Sequence, residues 1–211
     1  GSLFGGSGND SLYIDGASTS GYIDGGVGSD FISLSHLSGT SSVIGGEGND
    51  TITVLGSGTQ WLVSGGSGND SISIALVSQN ASVLGGAGND NVVLTGASSG
   101  YLELNEGNDT ILATTTTVTT VYGGEGNDLF SISGGSTSDK LYGGLGNDSF
   151  NFTGGRAFDT LVDVGTGSDS VLLSSLADSI MLSGSLTSTS LTAGDGADSI
   201  LVAAAVTAGL F

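Results

Sequence analysis

Polar and apolar residues alternate along most of this chain in short bursts, and the bursts recur at a nearly constant distance. In "GGEGNDTITV", residues 45–54, Ile52 and Val54 are apolar while Thr51 and Thr53 are polar. A period of two predicts a strand with one buried face. The same alternation follows each of the glycine-rich turns. Two places after the turn's aspartate stand Leu12, Ile32, Ile52, Ile72, Val92, Ile111, Phe130, Phe150, Val171 and Ile200, and four places after it the residue is apolar again. A second short strand is predicted before each turn, with Leu3, Ile23, Val43, Val63, Val83, Leu102, Val121, Leu141 and Val162 in equivalent places. Each coil reads turn, strand, turn, strand.

Aligned on their aspartates, the turns are GGSGND ending at Asp10, GGVGSD at Asp30, GGEGND at Asp50, GGSGND at Asp70, GGAGND at Asp90, LNEGND at Asp109, GGEGND at Asp128, GGLGND at Asp148, VGTGSD at Asp169 and AGDGAD at Asp198. Successive spacings are 20, 20, 20, 20, 19, 19, 20, 21 and 29. Two short strands cannot enclose a core, but stacked coils bury one continuous column between two parallel sheets. The fold predicted is all-β: a right-handed parallel β-roll, or β-solenoid, of about ten coils of ~20 residues, forming a rod on the order of 45 Å long. Residues 1–169 read as the regular roll and 170–211 as irregular C-terminal coils or a cap of the same solenoid. The interval of 29 reads as one coil plus an inserted half-coil, opened by Asp178. Absence of proline fits a ladder that needs every N–H.

Composition narrows the function classes. The 211 residues include 40 glycines, no proline and no cysteine; 21 carboxylates face two basic side chains, for a formal charge of -19. Phosphate binding needs a lysine and arginine footprint, so neither a nucleic-acid partner nor an anionic membrane surface is expected. No apolar run approaches the ~20 residues of a membrane span, so no membrane insertion is expected. No basic-then-apolar leader opens the chain, and the motif begins after four residues, so the sequence is expected to extend upstream. Without cysteine there is neither a disulfide framework nor a thiolate metal site.

Charge changes the picture most at the turns. In a stack the aspartates form a column, and unit charges ~5 Å apart repel by roughly 0.8 kcal/mol even in water. The chain supplies no basic partners, so the counter-charge must come from solution. Carboxylates and turn carbonyls are hard oxygen donors that suit calcium, whereas zinc or copper would want imidazole or thiolate. The expected cofactor is calcium, several ions in a column along one edge, each between two adjacent turns. The expected ligands are Asp10, Asp30, Asp50, Asp70, Asp90, Asp109, Asp128, Asp148 and Asp169. Main-chain oxygens are expected around Gly6, Gly8, Gly26, Gly28, Gly46, Gly48, Gly66, Gly68, Gly86, Gly88, Gly107, Gly124, Gly126, Gly144 and Gly146. Further candidates are Asp198 and Asp178, together with Asp139 and Asp159 in "GGSTSDKLY" (134–142) and "GGRAFDTLV" (154–162), where a second column is expected to begin. At Asp109 the glycine pair is replaced by Leu104 and Asn105, and weaker binding is expected there.

The chain resembles the RTX family, whose nonapeptide GGxGxDxUx forms a calcium-bound parallel β-roll in secreted bacterial proteins. The resemblance covers most of residues 1–170. It implies type I secretion, with "DSILVAAAVTAGLF" (198–211) compatible with a secretion signal or a capping strand. Family members with tandem nonapeptides carry the motif on both edges, whereas half-coils such as "LGSGTQWLV" (55–63) and "TGASSGYLE" (95–103) lack the aspartate.

The plainer reading of GGxGND is a metal-free turn whose Asn and Asp cap local N–H groups; the repeated charge argues against it. No catalytic residue is assigned and no enzyme is expected. His36 is the single histidine, at a variable turn, and Lys140 and Arg156 are the only basic side chains. An ice-binding array would want uniform outward threonines, but Tyr13, Phe31 and Leu129 interrupt any such row, and "ATTTTVTT" (113–120) lies in a single coil. The expected function is a calcium-stabilised structural module of a secreted bacterial surface protein (surface layer, fibre or adhesin) at the extracellular face of the cell, folding and assembling on meeting external calcium. Expected partners are further copies in a lattice or filament, with a surface glycan or lipopolysaccharide as anchor. The alternative is the folding and secretion appendage of a larger toxin or hydrolase, with an ice-binding adhesin module ranked behind it.

Overall fold

The computed structural model describes residues 1–56, 60–76, 79–96, 98–114, 117–134, 139–154 and 160–203, without the side chains of 16–20, 36–38, 76, 79–80, 98–99 and 117–119. His36 (side chain), Arg156, Asp159, part of the threonine run and most of the C-terminal apolar segment lie outside the described set. The first strands are Ser2–Ser7 (β1), Ser11–Val27 (β2), Phe31–Glu47 (β3), Thr51–Gly56 (β4), Gln60–Ser67 (β5), Ser71–Leu76 (β6), Gln79–Ala87 (β7), Asn91–Thr95 (β8), Ser98–Glu106 (β9) and Thr110–Thr114 (β10). They are followed by Thr117–Glu125 (β11), Leu129–Ser133 (β12), Lys140–Leu145 (β13), Ser149–Phe152 (β14), Thr160–Asp163 (β15), Ser170–Leu172 (β16), Ser179–Ser183 (β17), Ser190–Thr192 (β18) and Ser199–Val202 (β19).

All pairings are parallel and connect a strand to its counterpart one coil later. One sheet runs through the N-terminal parts of β2 and β3, then β4, β6, β8, β10, β12, β14, β16 and β18. The other runs through β1, the C-terminal parts of β2 and β3, then β5, β7, β9, β11, β13, β15, β17 and β19. The fold is an all-β parallel solenoid of about eight turns with ~20-residue coils, against the ten expected. Eight is the number of coils bounded by the nine aspartates from Asp10 to Asp169; β1 before them and β17 to β19 after them continue the same two sheets, and Asp198 does not stand on the edge of the other nine.

Period-two alternation places its apolar set inside, as predicted. Ile52, Ile72, Val92 and Ile111 form one buried row, and Val43, Val63, Val83 and Leu102 the row facing it. Each such side chain contributes roughly 1.5–3 kcal/mol relative to exposure. Toward the C-terminal end the rows widen into aromatics. Phe130 and Phe150 are fully buried and stack with centroids 4.5 Å apart. Trp61, also buried, donates its indole N–H to the Gly39 carbonyl at 2.8 Å, so its one polar atom is satisfied.

Candidate calcium-binding edge

The turns between the second sheet and the first build one edge, and their geometry begins with glycine. Gly46 has φ +121°, and a Cβ there would strike the carbonyl of Gly26 in the coil below. Only a residue without a side chain meets both demands. Where the pair is replaced, Asn105 takes φ 75°, the one non-glycine residue with positive φ among those described. Asparagine tolerates that region better than most residues.

Two ladders of opposite direction join these turns. The N–H of Asp50 donates to Oδ1 of Asp70 in the following coil at 2.8 Å, and the relation repeats from Asp10 to Asp169 at 2.7–2.9 Å. Beside it, on the exposed side, the N–H of Asn69 donates to Oδ1 of Asn49 in the preceding coil at 2.7 Å, a relation continued through Asn89, Asn108, Asn127 and Asn147. Ser29 and Ser168 stand in the same line. The polar side chains therefore bond across coils, where the plainer reading had them capping their own turn.

The aspartate ladder leaves one oxygen over. Asp30, Asp50, Asp70, Asp90, Asp109, Asp128, Asp148 and Asp169 are buried, and in each, as in Asp10, Oδ2 is out of contact with solvent and has no hydrogen-bond partner. A buried carboxylate oxygen without a partner is strongly disfavoured. Burial pushes the carboxyls of Asp50, Asp70 and Asp90 up to about 6 and those of Asp109 and Asp148 up to about 7; Asp128 and Asp169 move the same way. The hydrogen bond from the preceding coil's backbone opposes the rise, and for Asp50 the charges of Asp70 and Asp30 add to it.

In the seven turns that have one, the lone oxygen points at the first glycine. A Cβ on Gly45 would fall between Oδ2 of Asp50 and the carbonyl oxygen of Gly65, and the same cradle recurs at Gly25, Gly65, Gly123 and Gly143. Among the described residues no three carboxylate or imidazole groups converge on one point. The oxygens on offer are thus carboxylate and main-chain carbonyl in alternation up the edge, a hard donor set that fits calcium. A bound divalent cation would supply the positive charge each Oδ2 lacks. The carbonyls beside it belong to first glycines such as Gly25, Gly45, Gly65, Gly85 and Gly143, which the sequence reading did not single out. Their signal was the glycine that recurs in seven of the nine turns on this edge at a position where φ does not require one. Two cradles differ: buried Leu104 and Val164 stand where other turns have the first glycine, below Asp109 and Asp169.

The remaining candidates fall elsewhere. Thr189, not Asp198, follows Asp169 on this edge, since the N–H of Ser190 donates to the Asp169 carbonyl at 2.8 Å, just as Thr51 does to Asp30. Asp198 is corrected to the opposite edge. There the Asp178 N–H donates to its Oδ1 at 3.0 Å, while Asp178 Oδ2 accepts from Ser174 Oγ at 2.9 Å. No half-coil is inserted: β17 and β19 are ordinary strands of the second sheet, and a spacing measured from one edge to the other gave 29. Of the two residues at which a second column was expected to begin, Asp159 lies outside the described residues. The Leu161 N–H donates to the Asp139 carbonyl, which sets Asp139 level with Thr160.

Fold and edge together define a class: a parallel β-solenoid whose coils are tied by a buried carboxylate ladder. The RTX calcium-binding nonapeptide repeat matches this chain in four copies, within residues 2–13, 38–55 and 122–161. Within those residues, about a third of the chain, the match agrees with the resemblance seen on sequence. No curated protein matches the chain. RTX repeats bind calcium, the aligned aspartates fit that role, and the matched repeats suggest a calcium-binding structural module of the RTX type. Such repeat domains are generally structural rather than catalytic, and they occur in secreted bacterial proteins.

Proposed function

We propose that this chain is a calcium-locked rod within a bacterial surface protein, of the surface-layer, fibre or adhesin kind, that folds and assembles outside the cell. The observation that carries the reading is the row of nine buried, unpartnered Oδ2 atoms on a chain of formal charge -19. Without a cation each rung opposes the fold. With one between successive turns, each rung holds two coils together, and the energy of binding becomes energy of folding. Low cytoplasmic calcium keeps the chain unfolded for export, and external calcium locks it afterwards. The column is confined to one edge over the regular coils, with Asp178 and Asp198 as candidates for a short second one. Among the described residues no helix is long and apolar enough to cross a membrane. Further copies of the chain, and a surface glycan or lipopolysaccharide as anchor, complete the proposal.

The test is far-ultraviolet circular dichroism of chelator-stripped protein during calcium titration, with magnesium as control. A cooperative gain of β-structure specific to calcium is expected. Full β-structure in chelator at neutral pH would overturn the reading.

A further inference from the structure

Two of the nine turns on the aspartate edge depart from the other seven at one position. In the seven, that position holds the first glycine of the turn, whose φ is not positive, so conformation does not demand glycine there. Space demands it. A Cβ on Gly65 would meet Oδ2 of Asp70 and the carbonyl oxygen of Gly85 in the following coil, and only the missing side chain keeps the gap between those oxygens open.

In the turn of Asp109 this place belongs to Leu104, and in the turn of Asp169 to Val164. The alternation that buries Leu102 and Val162 turns both side chains inward, and both are fully buried in the core, so neither can swing aside into solvent. Cγ2 of Val164 comes within 3.1 Å of where a Cβ would stand on Gly184, its counterpart in the following coil. Hydrocarbon thus fills the space that is left open in the other turns. Asp169 also lacks a carboxylate above it, since Thr189 takes the next place on the edge with a buried hydroxyl. The main chain of the two turns is unaffected. The carbonyls of Leu104 and Val164 still face the cradles of Asp90 and Asp148, 2.9 and 2.5 Å from where a Cβ would stand on Gly85 and Gly143.

We infer that the ion column is interrupted: Leu104 and Val164 plug the cradles of Asp109 and Asp169, and calcium enters only the five cradles from Asp10 to Asp90 and the two at Asp128 and Asp148. The inference rests on the proposed calcium-binding role and fixes where along the edge that role is exercised. Calcium surrounds itself with about six to eight oxygens. A buried hydrocarbon side chain donates none and keeps out the water that could take its place. The plugged turns gain apolar packing where the open ones gain an ion. Their aspartates still tie the coils together through Oδ1, which accepts the N–H of Asp90 at 2.7 Å in one case and of Asp148 at 2.9 Å in the other. The edge is divided into a run of five cradles and a run of two, with one plugged turn between them and another at the end.

Anomalous scattering from a calcium-loaded crystal places the ions, and native mass spectrometry of the parent and its variants counts them, with circular dichroism on the same samples. Peaks are expected in the seven open cradles, and none beside Leu104 or Val164. Leu104→Gly should bind one ion more than the parent and Leu104→Ala the same number, because both lose core packing but only glycine removes the Cβ. Gly65→Leu, which copies the side chain that the Asp109 turn already accepts, should bind one ion fewer. If Leu104→Gly does not fold, the parent's peaks and Gly65→Leu still decide. An ion beside Leu104 or Val164 in the parent overturns the inference, as does a folded Leu104→Gly with an unchanged count or a folded Gly65→Leu that keeps its full complement. A parent chain that takes up no calcium, or whose β-structure is indifferent to it, would instead overturn the proposed function and the inference with it.

Discussion

The two edges of the roll connect the same two sheets, yet only one of them keeps its length. On the aspartate edge seven positions separate the inward residue from the rung in every coil, from Ile23 and Asp30 to Val162 and Asp169. On the other edge eight positions separate Leu94 from Leu102, and ten separate Phe152 from Val162. All variation in coil length is taken up there. The reason is the ladder: a backbone N–H 2.7–2.9 Å from an oxygen in the following coil leaves no room for a residue more or less. Even where threonine replaces the rung, Leu182 and Thr189 keep the interval of seven. The comparison separates a part of the coil bound by electrostatics from a part bound only by chain closure.

Titration should break the comparison most widely, because it acts on every rung at once. The folded carboxyls of Asp50, Asp70, Asp90, Asp109 and Asp148 lie at about 6 to 7, above the ordinary 3.8. The folded state therefore holds protons that the unfolded chain gives up. Its stability without calcium is fully present below about pH 4 and is lost as pH rises through 6 to 7. Calcium-free protein should gain β-structure on acidification, and the calcium-loaded protein should release its ions only at lower pH, since a bound cation favours the carboxylate form. Circular dichroism against pH, with and without chelator, reads both.

Length changes sharpen the contrast between edges. One residue inserted between Gly66 and Ser67 breaks the ladder on both sides of a coil and should cost about 3–6 kcal/mol, two charged hydrogen bonds at roughly 1.5–3 each. One residue inserted after Gly96 should cost under about 1 kcal/mol, since a slightly longer loop loses little closure entropy. Urea unfolding with calcium present measures both.

Asp90→Asn keeps an acceptor for the Asp70 N–H but removes the charge. It should stabilise the calcium-free fold and destabilise the calcium-loaded one by about 1–3 kcal/mol. A change of the same sign in both conditions would mean that the rung does not carry an ion. The smallest effect is expected at Asn105→Gly, which relieves a positive φ and should add up to about 1 kcal/mol. Calorimetry with and without calcium distinguishes a backbone effect, equal in both, from an effect on binding.

Much of this molecule was legible before any coordinates. The repeat, the two buried rows, the strands flanking Asp50 and the column of nine aspartates all follow from spacing and alternation, because a period of two has only one way to bury its apolar set. Hard oxygens without basic partners pointed to calcium for the same elementary reasons. What escaped was everything that depends on which edge a residue occupies. Asp198 carries the motif's own letters, and nothing local distinguishes one edge from the other; the pairing of β19 with β17 decides it. The register that sets Asp139 level with Thr160 is likewise a property of neighbouring coils.

Sequence alone determined that the chain is an all-β stack with a charge it cannot neutralise itself. Tertiary structure decided where that charge goes. Stacking turned each aspartate inward, gave Oδ1 to the backbone of the preceding coil and left Oδ2 buried beside a glycine with no partner. Alternation is a local property and can be read along a line. Burial and register arise between residues ~20 positions apart, and only their meeting in space makes a carboxylate need a cation.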